Sequence, residues 1–174
     1  MKTSLSTKQT IIGICGISQS GKSTLARGLK KELTAKGIDV KVFEIDHYTV
    51  EKDQIPSVRD RLDWEHPDSI DWDRLVRQIE KASAQVVIIE GIFVFHSRLL
   101  PFYSKTILVE QEKEIFYERR TKEIRWGDEP MWYLDHVWDT NQKLVSLATP
   151  DLRLKPGDPN KLEASLKLVE ACLK

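Results

Sequence analysis

Apolar positions along this chain fall into two kinds of pattern. Short continuous runs, Ile11 to Ile14, Val86 to Ile89 and Thr106 to Val109, show no alternation, as expected of strands buried on both faces. Between them, apolar residues recur every three or four positions, the period of a helix with one buried face. The first run is closed by Gly16. Leu25, Ala26, Leu29 and Leu33 then repeat at helical spacing until Gly37 stops them. Val40, Val42 and Ile45 predict a second strand ending at Asp46. Residues 47 to 70 hold no clean period and contain Pro56 and Pro67, which predicts loop with at most a short helical excursion. A loop that long in a compact domain is either functional or misassigned.

Asp71 is placed to cap a helix whose apolar face is Trp72, Leu75, Val76 and Ile79, with Asp73 in the first turn that the helix dipole favours. The run Val86 to Ile89 follows and ends in Glu90-Gly91. Beyond Thr106 to Val109, a charged helix is predicted over 112–125, broken between Gly127 and Pro130. Tyr133 to Leu147 reads as helix, Asp151 to Leu154 as a weak last strand, and Leu162, Leu166, Val169 and Leu173 as a final helix. Five strands alternating with helices predict an α/β domain with a five-stranded parallel sheet, because parallel strands need crossover helices on the sheet faces. Ligands of such sheets bind at the carboxyl ends of the strands. That rule collects Gly16, Asp46 and Glu90 on one edge.

Composition narrows the class. With 174 residues the chain fits a single domain over 1–174, and 40% apolar with 31% charged residues is ordinary for a globular protein. Twenty-seven basic residues balance 27 acidic ones, so no overall field favours nucleic acid or an anionic membrane. No apolar run is long enough to span a bilayer, and Met1 to Thr10 is polar. Cys15 lies in an apolar run and Cys172 far away near the end of a helical pattern, so a buried thiol is expected at Cys15. A cytoplasmic location fits these features; they leave the oligomeric state open.

The chemistry begins at Gly16-Ile17-Ser18-Gln19-Ser20-Gly21-Lys22-Ser23, which satisfies G-x-x-x-x-G-K-[ST] at every fixed position, with Thr24 next. Its glycines let successive N–H groups converge on phosphate oxygens, and the following helix adds its positive end. Lys22 would reach the β- and γ-phosphates, and the Ser23 hydroxyl would ligate Mg²⁺. At average glycine usage a chance match is on the order of one per cent. The flanking strand and amphipathic helix that the motif requires are also predicted. ATP with Mg²⁺ is the expected ligand, and the fold class is a P-loop NTPase fold with helices on both faces of the sheet and a small lid.

A phosphate loop serves several classes. None of the eight glycines has an aspartate three positions before it, so the D-x-x-G of a switch GTPase is missing. Asn160-Lys161-Leu162-Glu163 ends in Glu where a guanine-reading motif has Asp, and it opens the final helix. A kinase for a small acceptor needs a base, an acid near the metal and cations for the transition state. Asp46 and Glu90 stand at strand ends, and Arg119 and Arg120 sit on the charged helix before the break, where a closing lid is expected.

Four further stretches make the chain resemble the uridine kinase and nicotinamide riboside kinase group of P-loop nucleoside kinases, from about Thr10 to Lys161. They are Glu44-Ile45-Asp46-His47-Tyr48, Trp64-Glu65-His66-Pro67-Asp68-Ser69-Ile70-Asp71, Ile88-Ile89-Glu90-Gly91-Ile92-Phe93 and Tyr133-Leu134-Asp135-His136-Val137-Trp138. The resemblance implies transfer of the γ-phosphate of ATP to the 5′-hydroxyl of a nucleoside or riboside, either uridine or cytidine, or nicotinamide riboside. It implies Asp46 as base, Glu65 on the ribose hydroxyls, Trp64 against the base, and Glu90 beside Ser23 at the metal. Arg119 and Arg120 would belong to a lid around 119–132, and the acceptor would meet a segment around 46–71. Two positions depart from the family. Glu65 replaces its Asp, and Glu123 stands near the place of a basic ribose contact, for which Lys122 or Arg125 would substitute. Two alternatives remain: a kinase for a sugar, sugar phosphate or pantothenate-like alcohol, and a non-enzymatic nucleotide-binding module.

Overall fold

The structure, a computed structural model, describes residues 9–123 and 127–174. Among the described residues, seven strands and five α-helices follow one another as β1 (Thr10–Cys15), α1 (Lys22–Ala35), β2 (Val40–Glu44), β3 (Ser57–Val58), β4 (Arg61–Leu62), α2 (Trp72–Glu80), β5 (Val86–Gly91), β6 (Lys105–Val109), α3 (Lys113–Thr121), α4 (Met131–Ser146), β7 (Leu152–Leu154) and α5 (Lys161–Ala171). Five strands form one sheet in the order β2-β5-β1-β6-β7, and every neighbouring pair is parallel. The predicted α/β class and five-stranded parallel sheet are therefore present.

The sheet is covered on both faces, which explains the unbroken apolar runs. Ile12, Ile14, Val86, Ile88, Ile107 and Val109 point to one side, where Leu25, Leu29 and Leu33 of α1 and Val169 of α5 pack. Ile11, Cys15, Val87, Ile89 and Leu108 point to the other, against Trp72, Leu75 and Ile79 of α2 and Leu144 and Val145 of α4. The four residues Val86 to Ile89 are each completely buried, worth about 1.5–3 kcal/mol per side chain. A third cluster, Ile17, Phe116, Tyr133, Leu134 and Val137, joins α3 and α4 to the loop after β1. It fixes α3 and α4 to the phosphate-loop edge of the sheet.

Several boundaries differ from the sequence expectation. The second strand ends at Glu44, and Ile45–Tyr48 form a 3-10 turn, so Asp46 follows the strand by two residues. Ile45 leaves the strand because its side chain fills space that exists only beside a glycine: a Cβ at Gly91 would fall 2.8 Å from the Cβ of Ile45. Residues 47–70 are more ordered than a loop. They hold two short 3-10 turns and the antiparallel hairpin β3–β4. The segment is pinched at its base where Thr49 bridges Ile70 and the Asp71 N–H donates to the Tyr48 carbonyl. The charged helix stops at Thr121, and α5 ends before Leu173.

The two helix starts and the buried thiol of Cys15 are as expected. Asp71 caps α2 by accepting from the Arg74 N–H at 2.9 Å. Asn160 precedes the last helix, as a helix start should. Both cysteines are free thiols, and burial pushes that of Cys15 up to about 12, leaving it protonated and inert. Among the described residues no helix is long and apolar enough to cross a membrane.

Candidate active site

The loop between β1 and α1 is shaped by two backbone constraints. At Gly16 a Cβ would collide with Ser20 Oγ and fall 2.9 Å from the Val109 carbonyl oxygen. Gln19 and Gly21 take positive φ, 65° and 94°, and Gly21 caps α1 without a side-chain hydrogen bond. Nor does the first turn of α1 contain an acidic residue. The opening N–H groups of this 14-residue helix thus face the loop with neither a capping side chain nor a local carboxylate to compete with an anion. Ser20 Oγ is buried without a hydrogen-bond partner, and Lys22 is buried beside it in sequence. A cradle that excludes a Cβ, an orphaned hydroxyl and a sequestered cation together fit a polyphosphate. Thr24 is exposed and its hydroxyl accepts from Arg27.

Three acidic residues approach this loop. Glu90, at the end of β5, is buried, and burial raises its pKa; Lys22 and a hydrogen bond with the Ser23 hydroxyl oppose the rise, while Glu44 and Asp46 add to it. The Glu90–Ser23 pair offers one carboxylate and one hydroxyl. That donor set suits Mg²⁺ carried in with phosphates and water, not an ion held in a protein cage. Consistently, no cluster of three or more His, Cys, Asp or Glu occurs among the described residues. Glu65 is buried, and burial pushes its pKa up to about 7, with Arg120 and Lys22 pulling it down and Asp46 and Asp63 pushing it up. Asp46 itself is exposed on its 3-10 turn. Asp46, Glu65, Glu90 and Lys22 are therefore neighbours in space, as the strand-end rule predicted for the first and third.

The two arginines of α3 reach the same loop by different routes. Arg119 Nη1 donates to the Gln19 carbonyl at 2.8 Å, which also accepts from Gln111 at 3.1 Å. Arg120 is buried; its Nη1 donates to Ser18 Oγ at 2.6 Å, and Nε and Nη2 bind the two oxygens of Glu129 at 2.6 and 3.0 Å. Burial disfavours the charge of Arg120, but Glu129 more than offsets this and keeps its pKa above the ordinary value. Glu123, which stands where a basic ribose contact was expected, accepts from Gln19 at 3.0 Å. Arg125 lies outside the described residues.

A cleft of about 390 Å³ opens beside Glu65, lined by Lys52, Asp60, Arg61, Leu62, Trp64, Glu129 and Tyr133. Trp64 is 39% exposed, so it faces this cleft instead of packing in the core. Arg61 lies over the Tyr133 ring at 5.2 Å and donates to the Asp128 carbonyl, tying the β3–β4 hairpin to α4 and the stretch before it. Lys52, Asp60, Arg61, Asp63 and Glu129 were not singled out in the sequence. They come from a hairpin and a break that carry no periodic signal.

The family model described as an AAA domain matches residues 12–128. The chain belongs to this AAA domain family. It is also similar to uridine kinases. It is 27% identical over 141 residues to a uridine kinase of Leuconostoc citreum, covering 65% of this chain and 67% of that protein. It is 34% identical over 108 residues to a uridine kinase of Chlamydia pneumoniae, covering 58% of this chain and 47% of that one. The chain thus spans between about half and two thirds of these relatives. In structure it resembles a possible uridine kinase from Bacillus stearothermophilus, with a TM-score of 0.57, 22% identity, and 84% and 88% of the two chains covered. A gluconokinase from Sinorhizobium meliloti shares the fold too, with a TM-score of 0.55, 16% identity, and 95% and 91% covered. The P-loop α/β fold of this AAA domain protein is common to kinases with different acceptors.

Proposed function

We propose that this chain is a cytoplasmic, ATP- and Mg²⁺-dependent kinase that transfers the γ-phosphoryl group to the 5′-hydroxyl of a nucleoside or riboside. The observation that carries the reading is the meeting of Asp46, Glu65 and Glu90 with Lys22 at one sheet edge, next to a cleft that presents Trp64 and Tyr133. A carboxylate accepts two vicinal hydroxyls, and flat aromatic rings suit a heterocycle. The uridine kinases among its relatives point the same way.

In the proposed reaction Asp46 takes the proton of the acceptor hydroxyl as that oxygen attacks the γ-phosphorus. The bond to the β,γ-bridging oxygen breaks, and ADP leaves with the electron pair. Lys22 and the N–H groups of the loop hold the phosphate oxygens, and Glu65 orients the ribose. Ser23 and Glu90 would hold Mg²⁺, directly or through water; when bound, that ion neutralises charge on the β- and γ-phosphates. Arg119 and Arg120 close the phosphate side, where fixed cations stabilise the transferring group.

One observation favours a second reading. Lys52 and Arg61 place two cations on the wall of the acceptor cleft, which suits a sugar acid or another anionic alcohol. The deciding experiment is ADP release from ATP and Mg²⁺ with a panel of ribosides, 2′-deoxyribosides, gluconate and pantothenate. Stimulation by ribosides supports the first reading. Stimulation by gluconate or pantothenate alone replaces it with the second, and tight ATP binding without any acceptor effect rejects both.

A further inference from the structure

We infer that His136 is a positioning residue for Glu65, acting through Asp63; this rests on the proposed role of Glu65 in holding the acceptor. Glu65 lies on an irregular stretch between β4 and the 3-10 turn Pro67–Ser69, where no sheet or helix ladder fixes its backbone. A side chain that must meet hydroxyls within a few tenths of an ångström needs some other anchor. Asp63 supplies it. One of its carboxylate oxygens, Oδ1, accepts from the Glu65 N–H at 3.2 Å, and its own N–H donates to the Pro56 carbonyl at 2.7 Å. Its second oxygen, Oδ2, accepts from His136 Nε2 at 3.0 Å. The Asp63 side chain is 8% exposed and that of His136 is 28% exposed, so the pair is largely shielded from water.

The contact links residues 73 positions apart, and it does so on the helix that follows the lid. Three residues earlier on the same face of α4, the Tyr133 hydroxyl donates to the Leu62 carbonyl at 3.4 Å. Two successive turns of α4 therefore hold residues 62–65 from one side. The first turn of α4 begins two residues after Glu129, the partner of Arg120. The register between the acceptor carboxylate and the lid arginine is thereby set through one rigid helix. Loss of the imidazole leaves Asp63 Oδ2 buried without its donor, free to draw the loop out of place.

The test is steady-state kinetics of His136→Ala and His136→Gln on the best acceptor and on its 2′-deoxy analogue. Glutamine retains an N–H donor of similar reach. The expectation for His136→Ala is an acceptor KM raised about 10–100-fold, the loss typical of removing an orienting partner. The ATP KM and kcat should stay within about threefold, and His136→Gln should restore most of the acceptor KM. On the 2′-deoxy analogue, which gives Glu65 one hydroxyl fewer, the effect of His136→Ala should shrink to a few-fold. An equal rise for both acceptors, a matching rise in ATP KM, or failure of glutamine to rescue would overturn the inference. If the wild type uses gluconate or pantothenate and no riboside, the proposed function fails. The split between acceptor KM and ATP KM in the two variants, measured on that acceptor, then still decides whether His136 positions the site.

Discussion

Arg120 and Glu129 meet edge to edge, with Nε and Nη2 of the guanidinium on the two carboxylate oxygens, and their side chains are only 4% and 7% exposed. The third edge of the guanidinium reaches Ser18 in the phosphate loop. Glu129 therefore orients a cation toward Ser18 of the loop, and Arg120 matches its charge. Removing one partner of such a buried pair is strongly destabilising. We expect Glu129→Ala to destabilise the protein by about 3–5 kcal/mol. Replacing both, as Arg120→Met with Glu129→Leu, should cost far less than the two single changes combined. Urea unfolding of the four proteins measures this. A Glu129→Ala protein as stable as wild type would mean that water reaches the pair freely.

Glu65 gives the site a pH dependence whose sign is fixed. Its folded-state pKa is pushed up to about 7 from an ordinary 4.5, mainly by burial, with Arg120, Asp46, Lys22 and Asp63 as its charged neighbours. Between these values the folded state holds the proton that the unfolded chain releases, so this group costs stability as pH rises from about 4.5 to 7. The difference corresponds to roughly 3 kcal/mol at pH 8. Glu65→Gln should therefore be more stable than wild type at pH 8, and the gain should vanish at pH 4.5. In the proposed reaction the ionised carboxylate holds the acceptor, so the acceptor KM of the wild type should fall as pH rises from 6 to 8. A flat KM together with an unchanged stability difference would remove Glu65 from the acceptor site.

The sequence made the sheet legible because burial on both faces leaves no room for polar residues: Val86 to Ile89 could be little else than a central strand. The phosphate loop was equally plain, since Gly16, Gly21, Lys22 and Ser23 each meet a separate steric or electrostatic demand. Asp46, Glu65 and Glu90 were found by position at strand ends or within a motif. The cleft was less accessible to sequence reasoning. β3 and β4 have two residues each, too short for a period of two to register. Asp63 and His136 carry no mutual signal in one sequence, because a contact across 73 positions depends on how α4 docks. Glu129 sat in what read only as a break, and Ile45 prolonged an apolar alternation although its side chain turns to fill the space beside Gly91.

The assignment of Asp46 as base makes a separable demand. Asp46→Asn keeps the size of the side chain but removes its ability to accept a proton. We expect kcat to fall by about 10²–10⁴-fold, the usual contribution of a positioned general base, with ATP affinity unchanged. Lys22→Met should behave differently and weaken ATP binding as well, because in the proposed reaction the buried ammonium would face the phosphates before and during transfer. Single-turnover phosphorylation and equilibrium nucleotide titration distinguish the two. Full turnover by Asp46→Asn would show that another group takes the proton.

Two glycines give a test of the loop that involves no charge. Gly16 stands where a Cβ would press on Ser20 Oγ and lie 2.9 Å from the Val109 carbonyl oxygen, a backbone atom at the end of β6 that cannot swing away. Gly16→Ala must then push the loop off β6, costing about 1–3 kcal/mol, the usual range for overpacking. The displaced N–H groups should lower ATP affinity at least tenfold. Gly28 is the control. It lies inside α1, where a Cβ would meet only Leu162 Cδ1 at 3.2 Å, the end of a flexible side chain. Alanine there gains about 0.5–1 kcal/mol of helix preference against that small crowding. Gly28→Ala should therefore leave ATP binding unchanged and the thermal midpoint within a few degrees of wild type. Equal loss of nucleotide affinity in both variants would show that the glycines act through general stability, and the steric account of the cradle would be wrong.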